Sequence, residues 1–212
     1  MRCVRGFTNR GASGRGAKHH LIGLLKAILA AVIGACLGLA ATWLALERNV
    51  TFGETRLGPW IHNPRAAYAD ADPYTRAHRA RMGDVPLSQG EGLLFFATAS
   101  ADGSPLDPRC DYVISGPMPP ARLWTLSAMT PDGQPTHATA TRTSISSAEI
   151  VRDHAGGFDI IASARARPGN WLPLPPTGAF VFMLRLYDTS GSAAAGVMTG
   201  DQMPGLRRGR CA

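Results

Sequence analysis

The most conspicuous pattern along the chain is an uninterrupted apolar stretch over residues 27–46, AILAAVIGACLGLAATWLAL, without a charged side chain. At 1.5 Å rise per residue it makes about 30 Å of helix, the hydrocarbon thickness of a bilayer. It is apolar on every side, whereas a helix packed on a soluble core keeps a polar face. A transmembrane helix over residues 21–46 is therefore expected. Lys26 reaches back toward the headgroups and Trp43 marks the opposite interface. A second, polar helix is expected at about 73–82, with Asp72 as N-cap, Pro73 in the first turn and Gly83 as the stop. Arg79 and Arg81 fall near its C-terminal end, where positive charge is favoured.

Beyond Glu91 the apolar runs shorten to strand length and are separated by turn residues. Residues 92–99, 109–115, 122–129 and 179–187 read as strands. Asp102-Gly103-Ser104-Pro105, Gly116-Pro117 and Pro131-Asp132-Gly133 punctuate them. Residues 51–60 have room for one short strand. Ile150-Val151 and residues 158–162 flank Gly156-Gly157, the pattern of a hairpin. In residues 179–187, Phe180, Phe182, Leu184 and Leu186 share one face, and Val181, Met183, Arg185 and Tyr187 the other. No repeat of 20–50 residues is visible. The reading is a mainly β sandwich or barrel preceded by one transmembrane helix. Residues 1–20 form a disordered basic cytoplasmic tail, 21–46 the membrane helix and 47–212 an extracytoplasmic domain.

Charge changes the picture once it is divided along the chain. The net +7 resembles a nucleic-acid signal, but residues 1–46 hold six bases (Arg2, Arg5, Arg10, Arg15, Lys18, Lys26) and no acid. That leaves 16 of the 22 bases against all 15 acids, or +1, for the rest. A near-neutral domain excludes the concentrated basic face of a nucleic-acid binder. The basic flank instead orients the helix: the N-terminus stays in the cytoplasm and the domain lies outside it, in the periplasm of a bacterial inner membrane. A cleavable signal is disfavoured because Trp43, Leu44, Ala45 and Leu46 make a poor processing site. Ile33-Gly34-Ala35-Cys36 resembles a lipoprotein box, but apolar residues continue past the cysteine. Ala30, Gly34 and Gly38 place small residues on one helix face, where a second copy could pack closely and give a homodimer.

Candidate chemistry is sparse. Cys3 and Cys36 fall in the tail and the membrane segment, so Cys110 and Cys211 remain for the domain, where they either pair or stay as two free thiols. Pairing would close a loop of about 100 residues, stabilising the fold by ~4–5 kcal/mol in the chain-entropy account. His19, His20, His62, His78, His137 and His154 lack metal-ligand spacing, and neither a metal nor a cofactor is called for. No nucleophile elbow occurs. The stretch 190–196 reads as a flexible loop, and Asn49-Val50-Thr51 is only formally a glycosylation sequon.

Several separated stretches carry a resemblance: ADADPYTRAHRARMGDVPLSQGEGLLFFATASADGSPLDPRCDYVISGPMPPARLWTLSAM, then Arg167-Pro168-Gly169-Asn170-Trp171-Leu172-Pro173, Leu184-Arg185-Leu186-Tyr187-Asp188-Thr189, and the closing Met203-Pro204 with Cys211. In this order they resemble the bacterial family called domain of unknown function 1214, over nearly all of residues 50–212. The resemblance implies a jelly-roll-like β-sandwich, and short members share the layout of one membrane helix plus one domain. Longer members carry a second uncharacterised domain (1254) upstream, which this sequence lacks, so the resemblance implies a fold and an address but no reaction.

The polar and aromatic residues within these stretches supply the candidate ligand site. Asn170 and Trp171 sit in a rigid loop between Pro168 and Pro173. Arg185 and Tyr187 lie side by side on one strand, and Arg122, Asp111 and Glu91 stand at strand starts. Converging, they would suit a small anion or a sugar. The plainer reading is structural: Trp171 plugs one end of the sandwich, Arg185 pairs with an acid such as Asp111, and Tyr187 anchors a corner. Two functions follow. The first is a membrane-anchored binding or interaction module of the envelope. The alternative is an extracytoplasmic enzyme, a hydrolase or carbohydrate-active protein, using acids and Arg in a sandwich groove.

Overall fold

The computed structural model describes residues 13–47, 53–64, 71–82, 87, 90–136, 142–189 and 198–211. Cys3, the 49–51 sequon, Gly83, His137 and the 190–196 loop lie outside them. The chain divides into two units, residues 1–49 and 50–212.

The first unit is helix α1, Ser13–Glu47. Within it Leu21–Ala45 is long and apolar enough to cross a membrane. Its Leu, Ile and Val side chains are exposed throughout, with none of the one-sided burial of a core helix. The helix begins upstream of the expected boundary, so residues 13–20 are helical and not part of a disordered tail. Once a long helix exists, each added residue gains a backbone hydrogen bond without a new nucleation cost. Thr42 Oγ1 donates to the Gly38 carbonyl at 2.9 Å, so the hydroxyl is satisfied within the helix itself.

The second unit is mainly β. Its order is β1 (Thr55–Leu57), β2 (Trp60–His62), α2 (Pro73–Met82), β3 (Gly92–Ala97), β4 (Cys110–Ser115), β5 (Ala121–Met129), β6 (Ser144–Ser146), β7 (Asp159–Ser163), β8 (Asn170–Pro173), β9 (Val181–Thr189), a 3-10 turn (Gly200–Gln202) and β10 (Gly205–Cys211). The helix is capped as its sequence demands. Asp72 Oδ1 accepts from the amides of Tyr74 and Thr75, each at 3.0 Å, and Oδ2 accepts from the Thr75 hydroxyl. Burial acts to raise the Asp72 carboxyl, but those bonds outweigh it and its pKa lies below the usual value.

Six strands form one sheet in the order β1-β2-β3-β9-β5-β6, and four form another, β10-β4-β7-β8. Alternation explains how they meet. Leu93, Phe95 and Ala97 of β3, Trp124, Leu126 and Ala128 of β5, and Phe182, Leu184 and Leu186 of β9 are all buried. Facing them are Tyr112 and Ile114 of β4, Ile160 and Ala162 of β7, Leu172 of β8 and Leu206 of β10, in one continuous core. At its centre the Tyr112 ring meets Phe182 edge-on at 5.8 Å, and Phe180 meets Phe182 edge-on at 5.3 Å. The product is the expected two-sheet sandwich.

Close backbone approach explains one invasive-looking glycine. A side-chain carbon at Gly92 would land on the Leu186 carbonyl oxygen, so β3 and β9 can pair there only around a hydrogen.

Three sequence readings are corrected. The segment 51–60 contributes parts of two strands, β1 and β2, joined in an antiparallel ladder. The Gly156-Gly157 turn is real but no hairpin: Ile150 and Val151 are not in a strand, and β7 pairs with β4 and β8. Asp153 builds that turn instead, its Oδ1 accepting from the amides of Ala155 (2.9 Å) and Gly157 (2.7 Å). Asn170 and Trp171, read as a loop, begin strand β8, which lies parallel to β7. A link of only six residues, 164–169, joins the two parallel strands, far shorter than the usual crossover.

Candidate functional site

The Cys110–Cys211 pair is a disulfide, closing a sequence separation of 101 residues. The cysteines face each other in the antiparallel ladder of β4 with β10. Just before the bridge β10 carries one extra residue. Arg208 pairs with Tyr112 and Cys211 with Cys110, leaving Gly209 and Arg210 opposite Asp111 alone. Such a bulge turns a side chain away from the regular alternation. Gly209 suits it, because a Cβ there would crowd the Asp111 carbonyl oxygen at 3.2 Å.

The bridge thereby gathers arginines that are distant in sequence. Arg109 precedes β4, Arg165 and Arg167 lie on the 164–169 link, and Arg210 sits in the bulge; all four line one open hollow of about 560 Å³ beside Asp111 and Cys211. Two of the four are committed. Arg167 is ion-paired with Asp111. Arg109 grips Asp107 through Nε (3.1 and 3.2 Å) and Nη2 (2.7 Å). The Arg109 side chain, with its amide and the more distant Arg208, holds the Asp107 carboxyl down to about 2. Arg165 and Arg210 form no ion pair with any other described residue. Arg208 does not line the hollow; it donates to Cys110 Sγ from Nε (3.3 Å) and Nη2 (3.2 Å) and lies 3.9 Å from Asp107.

Tyr112, buried in the core and not lining the hollow, braces the segment before β4. Its hydroxyl accepts the Asp107 amide at 2.7 Å, which anchors the loop carrying Arg109. Burial pushes its phenol pKa up. The corner role expected of Tyr187 is thus filled by Tyr112.

The residues singled out in the sequence do not converge. Asn170, buried in β8, spends its side chain on the backbone: Nδ2 donates to the carbonyls of Val151 (2.7 Å) and Asp159 (3.1 Å), and Oδ1 accepts from the Val151 amide (2.7 Å). Trp171 Nε1 donates to the Ser163 carbonyl at 3.0 Å, tying β8 to the end of β7. Both belong to the four-stranded sheet, whereas Arg185 and Tyr187 belong to β9 in the other, on the face opposite its buried Leu184 and Leu186. Asp111 pairs with Arg167 and not with Arg185, which is in the opposite sheet. Arg122 makes a 3.0 Å ion pair with Asp188, both well exposed, and is worth little to stability. Glu91 is exposed at the start of β3, its carbonyl accepting the Asp188 amide at 2.8 Å. The acids named for an enzymatic groove, Asp111 and Glu91, therefore border different sheets.

A second hollow, of about 590 Å³, adjoins Asn170 and is lined by Arg152, Asp153 and Asp159 among others. Among the described residues no three His, Cys, Asp or Glu side chains come together as a metal site would require. Elsewhere, His62 is held below its usual pKa by burial, partly offset by a 2.8 Å bond between Nδ1 and the Leu94 carbonyl. That contact requires the proton on Nδ1.

The arginine hollow was missed in the sequence, although its signal was there. Arg109 and Asp111 flank Cys110, and Arg210 precedes Cys211, so pairing the cysteines brings these charges together.

Residues 91–191 match the family described as "Protein of unknown function (DUF1214)". The sequence stretches before residue 91 and after 191 that carry the same resemblance lie outside that match. No curated protein matches the sequence. Among solved structures, the VPA0106 protein from Vibrio parahaemolyticus is 21% identical, with a TM-score of 0.53, covering 98% of this chain and 47% of its own. An uncharacterized protein from Burkholderia cenocepacia is 16% identical with a TM-score of 0.40, covering 82% of this chain and 50% of its own. The chain spans about half the length of these proteins, and the first of them shares its fold.

Proposed function

We propose that this chain, whose residues 91–191 match the DUF1214 family, is a membrane-anchored binding module of the bacterial envelope, its sandwich facing the periplasm and its arginine hollow receiving a small anion. The observation that carries this reading is the Cys110–Cys211 bridge. Paired thiols persist in oxidising compartments and are kept reduced in the cytosol. The apolar helix supports it by length and composition, and the basic residues before that helix favour an N-terminus in the cytoplasm. Arg165 and Arg210, which pair with no acid among the described residues, favour an anion over a neutral sugar in this concave site. The Ala30, Gly34 and Gly38 face is suited to pairing two anchors within the bilayer.

The test is topological. Full-length protein is expressed in a Gram-negative host, thiols are blocked at lysis, and the bridge is scored by non-reducing electrophoresis in strains with and without the periplasmic thiol oxidase. Externally added protease is applied to spheroplasts in parallel. A bridge formed only with the oxidase, and a domain cleaved from outside, is the expected result. A reduced domain protected inside spheroplasts refutes the assignment.

A further inference from the structure

We propose that the hollow beside the Cys110–Cys211 bridge is a phosphomonoester site, in which Arg165 and Arg210 hold the dianionic phosphate and Arg109 and Arg167 shape its walls. The inference deepens the binding-module reading and rests on it, but it concerns the ligand and not the side of the membrane.

Charge selects the class of ligand. Asp111 pairs with Arg167, and Asp107 pairs with Arg109 and, at 3.9 Å, with Arg208, which does not line the hollow. The two arginines left over line the same hollow from different elements, the 164–169 link and the β10 bulge. Two positive charges call for a ligand carrying two negative ones within one small group. A phosphomonoester carries about −1.5 to −2 near pH 7 and offers three terminal oxygens, whereas a carboxylate or a sulfate ester carries one charge. Guanidinium forks match such oxygens two at a time, and two forks approaching from different sides leave the ester oxygen to point outward.

The surrounding structure fixes the geometry. Arg210 is one residue from the disulfide and is turned outward by the bulge, so the bridge that closes the sheet also holds one half of the site. The Arg167–Asp111 pair pins the link that carries Arg165 to strand β4. With two members already paired, the free pair can be exposed without dispersing, because each hangs from a braced segment. The two ion pairs also keep the hollow from presenting four bare positive charges to one another.

The decisive experiment is calorimetric titration of the full-length oxidised chain in phosphatidylcholine nanodiscs. Glycerol 3-phosphate is the probe, methyl sulfate the monoanionic comparison, and phosphatidic acid vesicles are a separate arm. Saturable binding of the phosphomonoester, at least tenfold tighter than methyl sulfate, is the expected result. It should weaken from pH 7.5 to 5 as the second phosphate proton returns with a pKa of about 6. R165Q/R210Q should lose at least tenfold in affinity, R165K/R210K less, and Arg56→Gln in the other sheet nothing. Melting temperatures within about 2 °C of the parent show that the variants fold, as expected for two exposed arginines that pair with no described acid. Competition by phosphatidic acid vesicles assigns the phosphate to a lipid headgroup; its absence alongside glycerol phosphate binding assigns it to a soluble ester; both support the site. Equal affinity for methyl sulfate, no saturable binding, or binding that R165Q/R210Q retains overturns it. Because the titration uses purified oxidised protein, such a failure leaves the topological result standing, and a topological failure leaves the titration readable.

Discussion

Reducing the Cys110–Cys211 bridge perturbs the domain with minimal change in its contacts, since both sulfurs remain in place. The bridge closes a separation of 101 residues, more than half of the second unit. In the chain-entropy account a loop of that length restricts the unfolded ensemble by about 4.7 kcal/mol. The folded side changes little on reduction, because β10 is still paired to β4 from Gly205 to Arg208 and Leu206 is still in the core. Nearly all of that energy should therefore appear as a change in unfolding. For a domain of this size 1 kcal/mol corresponds to about 2–4 °C in Tm, so reduction should lower Tm by roughly 10–18 °C. The assay is thermal unfolding of the full chain in detergent, oxidised against fully reduced, followed by near-UV circular dichroism so that the anchor helix does not mask the transition. At 25 °C the two forms should give the same spectrum. A drop of less than about 3 °C would refute the reasoning, showing that the unfolded chain is already constrained without the bridge. A changed spectrum at 25 °C would show that the bridge enforces the native pairing of β10, contrary to the ladder described.

Asn170→Ala should cost about 2–3 kcal/mol, because three hydrogen bonds to Val151 and Asp159 vanish together from a buried side chain. Urea unfolding of the full chain reads this directly, and a loss below about 0.5 kcal/mol would mean the clamp is not structural. His62 gives a pH dependence. Its folded pKa is depressed below 6.5, so the neutral ring's contribution is fully present above about pH 6.5 and is lost as pH falls through the lower folded value. Stability measured from pH 7.5 to 5 should therefore fall more steeply for the parent than for His62→Gln, and identical slopes would contradict the burial argument.

Elements whose signal is local were legible in the sequence. The anchor needs only length and apolarity, α2 only its Asp72 cap and Pro73, and β3, β4, β5 and β9 only alternation around a shared core. Elements defined by their neighbours were not. β10, with the sequence GLRRGRC, buries only Leu206 fully and is an edge strand, so its ladder to β4 leaves no apolar period to read. β8 was concealed by Pro173 at its end and Pro168 just before it, which an edge strand tolerates but which suggest a loop. The candidate site followed the same division. Asn170, Arg185 and Tyr187 stood out as residue types, yet two sheets separate them. The arginines that do meet became neighbours only through a cysteine pairing that the sequence left open.

The order in which the sandwich is made follows from where its last strand goes. β4 leaves the ribosome about a hundred residues ahead of β10, the strand that covers its open edge. At 5–20 residues per second that is about 5–20 s during which an unpaired strand edge and the Cys110 thiol have no native partner. Trp60 waits longer still, since its indole donates to the Pro204 carbonyl at 2.7 Å in the buried centre. The sandwich therefore cannot complete its core until Pro204 and β10 arrive.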